Sequence, residues 1–182
     1  MEKSYSTRNQ EDIQGQMEHI LASPKQAGTV NMLVIRPDTD ARKIVSNCHF
    51  SFAEGMAGDR WFQTKAEGDP ERSSQITLMN ARMLSFIASD DDHKALAGDN
   101  LVVDFDLTED NLLPGDKIQV GEVVFEVTDR LHKGCKKFAE RFGPEALKFI
   151  NTVERRPLHL RGIYVRVAEA GTVQVGDSIN KL

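Results

Sequence analysis

What the chain has little of narrows its class before any motif is read. Its 182 residues contain two cysteines, Cys48 and Cys135. Two thiols far apart and in unlike surroundings give no disulfide framework, and they exclude a four-thiolate iron–sulfur cluster within one chain. Long apolar runs are missing too, since none approaches the roughly 20 residues that cross a bilayer. The N-terminal Met1-Glu2-Lys3-Ser4-Tyr5 lacks the apolar core of a signal peptide. A cytoplasmic protein with reduced thiols and no membrane partner is therefore expected. Positive charge is the minority sign: 23 Lys and Arg stand against 28 Asp and Glu, a net charge of −5. Nucleic-acid binding rests on a basic stripe, so no such partner is expected, and any anion site must be local. No phosphate loop of the Walker type and no Gly-x-Ser-x-Gly elbow occurs, and Gly55-Met56-Ala57-Gly58 is too short for a dinucleotide fingerprint.

What is there reads as one domain with many short strands. Residues Met1 to Asp12 are polar and aperiodic, which predicts a loose leader before a single domain over 13–182. Gln14 to Ser23 is ambiguous: Ile13, Met17, Ile20 and Leu21 fit a helical stripe, while Gly15 and Pro24 bracket a piece short enough for a strand. Val30 to Arg36 and Arg42 to Phe50 predict strands joined by a Pro-Asp-Thr-Asp turn. Gln75 to Met79 predicts a strand, and Asn80 then caps a helix over Ala81 to Ser89. Lys117 to Val120 and Val123 to Val127 flank a Gly121-Glu122 turn. Helices are predicted over Phe138 to Phe142 and Pro144 to Val153, and strands over Arg161 to Glu169 and Gly171 to Asp177. The acidic run Asp90-Asp91-Asp92 reads as a solvated loop. So many short strands argue for a mainly β fold, a closed or nearly closed barrel decorated by a few short helices.

The chemistry concentrates around Leu131-His132-Lys133-Gly134-Cys135-Lys136-Lys137-Phe138. Cys135 follows a strand, stands after a glycine and precedes a helix, with three lysines and a histidine within three positions. Neighbouring cations and a helix N-terminus both favour a thiolate, which binds a soft metal or carries sulfane sulfur. A structural cysteine among solvated lysines is the competing reading. Zinc mostly fails, because His132 and Cys135 have no second ligand pair. Cys48 and His49 are adjacent on a strand and point to opposite faces, so Cys48 reads as a core residue. Arg60, in the Gly58-Asp59-Arg60-Trp61 loop, and Arg161, beside Gly162, are candidate anion-binding guanidiniums.

Taken in order, several pieces resemble the MOSC family, named for the C-terminal domain of molybdenum cofactor sulfurase. They are Gly58-Asp59-Arg60, Ile76-Thr77-Leu78, Asp99-Asn100-Leu101-Val102-Val103, Leu113-Pro114-Gly115-Asp116, Gly134-Cys135-x-x-Phe138, Arg161-Gly162-Ile163-Tyr164-Val165 and Val173-Gln174-Val175-Gly176-Asp177. The resemblance runs from about Gly15 to the C-terminus, and it tips Gln14 to Ser23 towards strand. It implies a β-barrel with Cys135 at a pocket for molybdenum cofactor (molybdopterin), as sulfur carrier or metal ligand. By position it makes Arg60, Asn100 and Arg161 candidate cofactor-binding residues, joined by His132 and Lys136 beside the thiol. Many members carry a basic residue just before the Asn, where this chain has Gly98-Asp99. No pyridoxal phosphate is expected in this chain alone. A sulfur carrier would need a separate cysteine desulfurase, and a reductase of N-hydroxylated compounds would need an electron-transfer partner. A non-catalytic cofactor-binding module is the third possibility.

Overall fold

Alternating burial along the strands closes into a cylinder. The structure is a computed structural model that describes residues 5–182. Its strands are β1 (Ala27–Ile35), β2 (Lys43–Val45), β3 (Asn47–Ser51), β4 (Gly55–Met56), β5 (Ile76–Asn80) and β6 (Leu101–Asp104). They continue with β7 (Lys117–Val120), β8 (Val123–Val127), β9 (Ile163–Glu169), β10 (Gly171–Gln174) and β11 (Ser178–Lys181). The helices are α1 (Gln10–Gly15), α2 (Met17–Leu21), α3 (Trp61–Thr64), α4 (Ala81–Ile87), α5 (Asp91–Ala95), α6 (Lys136–Phe142) and α7 (Pro144–Asn151). Seven strands form a closed barrel in the order β1, β11, β7, β8, β9, β5, β6 and back to β1. The closing seam is antiparallel and sets Ala27 beside Asn180 and Thr29 beside Ser178. Within the barrel β5 and β6 run parallel, with Leu78 beside Leu101. Closure removes the exposed edges that an open sheet would leave.

Two cores share the barrel wall. Val30, Leu33, Leu78, Leu101, Phe125 and Val165 fill the interior. On the outer side Met32, Val34, Met79 and Val102 pack with Ile13, Met83, Phe142 and Phe149 from the helices. Each fully buried Leu, Met or Phe is worth about 1.5–3 kcal/mol, so the helical layer is part of the fold and not decoration. The expected cap is present: Asn80 Oδ1 accepts from the Met83 N–H at 2.9 Å. Pro144 occupies the first turn of α7. Cys48 is buried in the barrel core, and His49 faces outward.

Four expectations change. Gln14 to Ser23 is not a strand; residues 10–21 form α1 and α2, with Ile13, Met17 and Ile20 buried on one stripe. The helical period wins, helped by a reciprocal Asn9–Asp12 capping box. Arg42 to Phe50 is not one strand. It breaks at Ser46, β2 pairing with β1 while β3 joins β10 and β4 in a small second sheet. Part of the leader lies outside the described residues, but its remainder is packed: the Tyr5 ring stacks 3.7 Å from that of His93, and Arg8 Nε donates to the Phe86 carbonyl. Finally, Asp90 starts a helix, its side chain accepting from the His93 N–H at 2.8 Å. Among the described residues no helix is long and apolar enough to cross a membrane.

Candidate functional site

One mouth of the barrel gathers the polar side chains that the strand interiors exclude. Arg36 follows β1, Asp59 and Arg60 lead into α3, Asp99 and Asn100 precede β6, His132 follows β8, and Arg161 precedes β9. Asn100 is fully buried at their centre. Its Oδ1 accepts from the Thr77 N–H, the Thr77 hydroxyl and Arg36 Nη2, and its Nδ2 donates to Val34 O and Asp59 Oδ2. Asp59 also takes Arg36 Nε at 2.8 Å and the Trp61 N–H at 3.0 Å. Burial alone would raise its carboxyl, but hydrogen bonds and charge from Arg36 hold it below the usual carboxylate range. The Asn100 side chain is therefore spent on holding the mouth together.

Arg161 is spent in a similar way. Its Nη1 lies 2.6 Å from Asp99 Oδ2, and Nη2 donates to the Ala97 carbonyl. Gly162 sits at φ 91°, and a Cβ there would overlap the Leu78 carbonyl oxygen, so only glycine lets the Arg161 segment approach β5. Burial pushes the Asp99 carboxyl up, against the opposing charge of Arg161 and Arg36. His132 lies across from the same carboxylate, its ring tilted against Tyr164 with centroids 4.4 Å apart. Burial, then the positive charges of Arg161, Arg36 and Lys65, hold His132 well below the ordinary imidazole range.

Around this knot positive charge collects, with Asp40 acting on Arg42 from one side. Arg60 Nη1 bonds a hydroxyl, Thr39 Oγ1, at 3.1 Å. Arg42 packs its guanidinium on the backbone of Gly98, whose φ is 78°, and its Nε is buried with no hydrogen-bond partner among the described residues. Burial and the neighbouring charges of Arg141, Arg36 and Arg60 bring Arg42 down to about 10. Beyond His132 a cleft of about 230 Å³ is lined by residues that include Arg130, Leu131, Arg156, His159 and Ile163.

Cys135 is exposed at the N-cap of α6, and its side chain makes no capping hydrogen bond. Asn151 clamps the residue before it, accepting from the Gly134 N–H and donating to the Gly134 carbonyl, each at 3.0 Å. The lysines expected to serve the thiol have carboxylate partners instead. Lys137 Nζ and Arg141 Nη2 both lie 2.7 Å from Asp40 Oδ1, and Lys136, 91% exposed, is 3.8 Å from Glu140. Asp40 stands next to Thr39, so the segment between β1 and β2 ties the helix of Cys135 to Arg60. Arg161 reaches the same helix with its guanidinium 5.2 Å from the Phe138 ring centroid.

The structure thus gathers Asn100, Arg161 and His132 tightly, brings Arg60 in through Asp59 and Thr39, and leaves Lys136 in solvent. Sequence reasoning passed over Arg36, Asp59, Asp99 and Arg42 as site residues. Asp59 stood inside the quoted Gly58-Asp59-Arg60 motif and offered a signal; Arg36 and Arg42 only flank apolar runs and offered none. Among the described residues no group of three or more His, Cys, Asp or Glu side chains is placed to hold a metal ion.

Comparison with known proteins agrees with this architecture. A family model described as MOSC domain matches residues 71–180, a span that holds Asn100, His132, Cys135 and Arg161. No functionally curated protein matches the sequence. The YuaD protein from Bacillus subtilis has a similar structure, with a TM-score of 0.62 at 20% identity over 84% of this chain and 94% of that one. YiiM from Escherichia coli superposes with a TM-score of 0.54 at 16% identity, over 85% of this chain and 69% of its own. YiiM from Geobacillus stearothermophilus gives 0.54 at 16% identity, covering 88% and 74%. At such identities the structural likeness speaks for the fold.

Proposed function

Because the chain belongs to the MOSC domain family, we propose that its barrel mouth receives molybdenum cofactor and that Cys135 supplies the thiol that meets it. The observation that carries this reading is the surplus of guanidinium groups at the mouth. Among the described residues Arg42 keeps a buried Nε without a hydrogen-bond partner and Arg60 bonds a hydroxyl, and both lie within charge range of one another. An anionic molybdopterin phosphate would relieve that repulsion. The residues fit the group on this ground and on the exposed, unbonded thiol of Cys135. When bound, the cofactor supplies two-electron chemistry at molybdenum, or a place to receive sulfur.

The chain's own residues divide the work. Arg42 and Arg60 bind the anion. Arg161, neutralised by Asp99, and Asn100, saturated by its neighbours, keep the mouth in one shape. Asn151 fixes the segment that presents Cys135. The chain would work in the cytoplasm, where cofactor assembly and reduced thiols coexist.

The exposure of Cys135 favours a second reading, a sulfur relay. Its thiolate would attack the outer sulfur of a persulfide on a separate cysteine desulfurase, whose own thiolate leaves as Cys135 takes up the persulfide. Used as a reductase instead, the domain would draw electrons from a separate transfer protein.

The test is molybdenum content after expression in a host that makes the cofactor. About one molybdenum per chain, lost in Cys135→Ser and reduced in Arg42→Met, supports ligation. A metal-free wild type overturns ligation. The relay then stands or falls on a persulfide at Cys135, read by mass spectrometry after incubation with a desulfurase and cysteine.

A further inference from the structure

Two buried polar atoms beside the mouth face each other without a bond. His132 Nδ1 and Asp99 Oδ1 are 3.8 Å apart, and among the described residues neither has a hydrogen-bond partner. The side chains are 8% and 0% exposed. The other Asp99 oxygen, Oδ2, is taken by Arg161 at 2.6 Å. An unpaired buried donor or acceptor costs about 1–3 kcal/mol, so the arrangement demands a solution. A carboxylate oxygen only accepts. A proton on His132 Nδ1 satisfies both atoms, directly after a small closure or through one bridging water. With that proton on Nε2 instead, two lone pairs would oppose each other. With it on Asp99, the Arg161 guanidinium would be left buried against a neutral acid.

We propose that Asp99 is a positioning residue that fixes His132 as the Nδ1–H tautomer, leaving Nε2 as a proton acceptor towards the cleft beyond it. His132 lines that cleft and Asp99 does not, so the edge of the ring away from Asp99 serves the cavity. Tyr164 holds the ring from one side. The charges that act on His132, from Arg161, Arg36 and Lys65, oppose its protonation and keep Nε2 free at neutral pH. Leu131 and Ile163 give the cleft apolar walls, and Arg130 and Arg156 with Asp129 and Glu109 give it charged ones of both signs. The ligand class that follows is a small molecule that brings an N–H or O–H donor to His132. This assignment holds with or without cofactor in the mouth.

The tautomer is read directly from two-bond proton–nitrogen correlation spectra of the full chain labelled with nitrogen-15. Wild type is expected to show neutral His132 protonated at Nδ1. Asp99→Asn keeps an oxygen for Arg161 and turns an NH₂ towards Nδ1, so its His132 should move to the Nε2–H form. A second readout is carbethoxylation of His132 by diethyl pyrocarbonate, which needs a free, reachable Nε2. Asp99→Asn should slow it about tenfold, the population change expected when one hydrogen bond reverses the preferred tautomer. An Nε2–H or doubly protonated His132 in wild type overturns the proposal, as does unchanged carbethoxylation in a folded Asp99→Asn protein. If that variant fails to fold, the wild-type spectrum alone decides.

Discussion

Thr77 and Asn100 bond each other in both directions: the Asn100 N–H donates to Thr77 Oγ1 at 3.0 Å, and Asn100 Oδ1 takes the Thr77 N–H at 3.1 Å and its hydroxyl at 3.2 Å. The pair locks the parallel strands β5 and β6 where no hairpin joins them. Through Arg36 and Asp59 it also anchors the end of β1 and the entry to α3.

Asn100→Ala would strand the Thr77 N–H and weaken the hold on Arg36 and Asp59. A loss of about 2–4 kcal/mol is expected, measured as a lower urea midpoint with an unchanged slope. Stability like that of wild type would show that Asn100 serves a ligand and not the wall.

Asp69 sets the acid limit of the loop that leads into β5. Burial would raise its carboxyl, but bonds from the side chains and N–H groups of Ser74 and Ser73 lower it to about 2. A depressed folded value means a contribution present above the ordinary carboxyl value of 3.8 and lost as pH falls towards about 2. Asp69→Asn is therefore expected to cost about 1–3 kcal/mol at neutral pH and progressively less as the solution is acidified. Urea titrations of both proteins across that range check the convergence; a gap that stays constant with pH would refute it.

Inorganic phosphate probes the mouth without cofactor. At ten times its Kd it should stabilise the protein by about 1.4 kcal/mol, a Tm rise of roughly 3–6 °C for a chain of this size. Arg42→Met should diminish that rise. The same substitution should raise the Tm in phosphate-free buffer, because it removes a buried guanidinium nitrogen that has no partner. A phosphate response that survives in Arg42→Met places the anion elsewhere.

The barrel was legible where local signals and tertiary demands agree. Asn80 caps α4, Ile163, Val165 and Val167 alternate inward on β9, and the Gly121-Glu122 turn makes the β7–β8 hairpin, each as its residues suggest. Gln14 to Ser23 departs from the strand expected of it because the family resemblance argues against the helical spacing of Ile13, Met17 and Ile20, which the structure follows. Ser46 was invisible as a break because β-branched residues favour a strand without saying which sheet receives it. At the site, the chemistry of Cys135 and the arginines could be named from residue type. That Arg161 is neutralised by Asp99, and Lys137 by Asp40, depends on partners dozens of residues away, which no local pattern encodes.

The seam between β1 and β11 has a consequence for biosynthesis. Ala27 through Thr29 find their partners in Ser178 through Asn180, from the far end of the domain. While the ribosome still holds β11, the flanks of β1 and β7 that it will occupy stay open, and Phe125 and Leu78 lie in an unfinished core. Such edges pair readily with strands of neighbouring nascent chains. Completion is set by the last strand to emerge, and the long sequence separation makes that step slow. Chaperone demand should therefore persist until β11 has emerged, and variants that weaken β11 should be lost to aggregation before they are lost to instability.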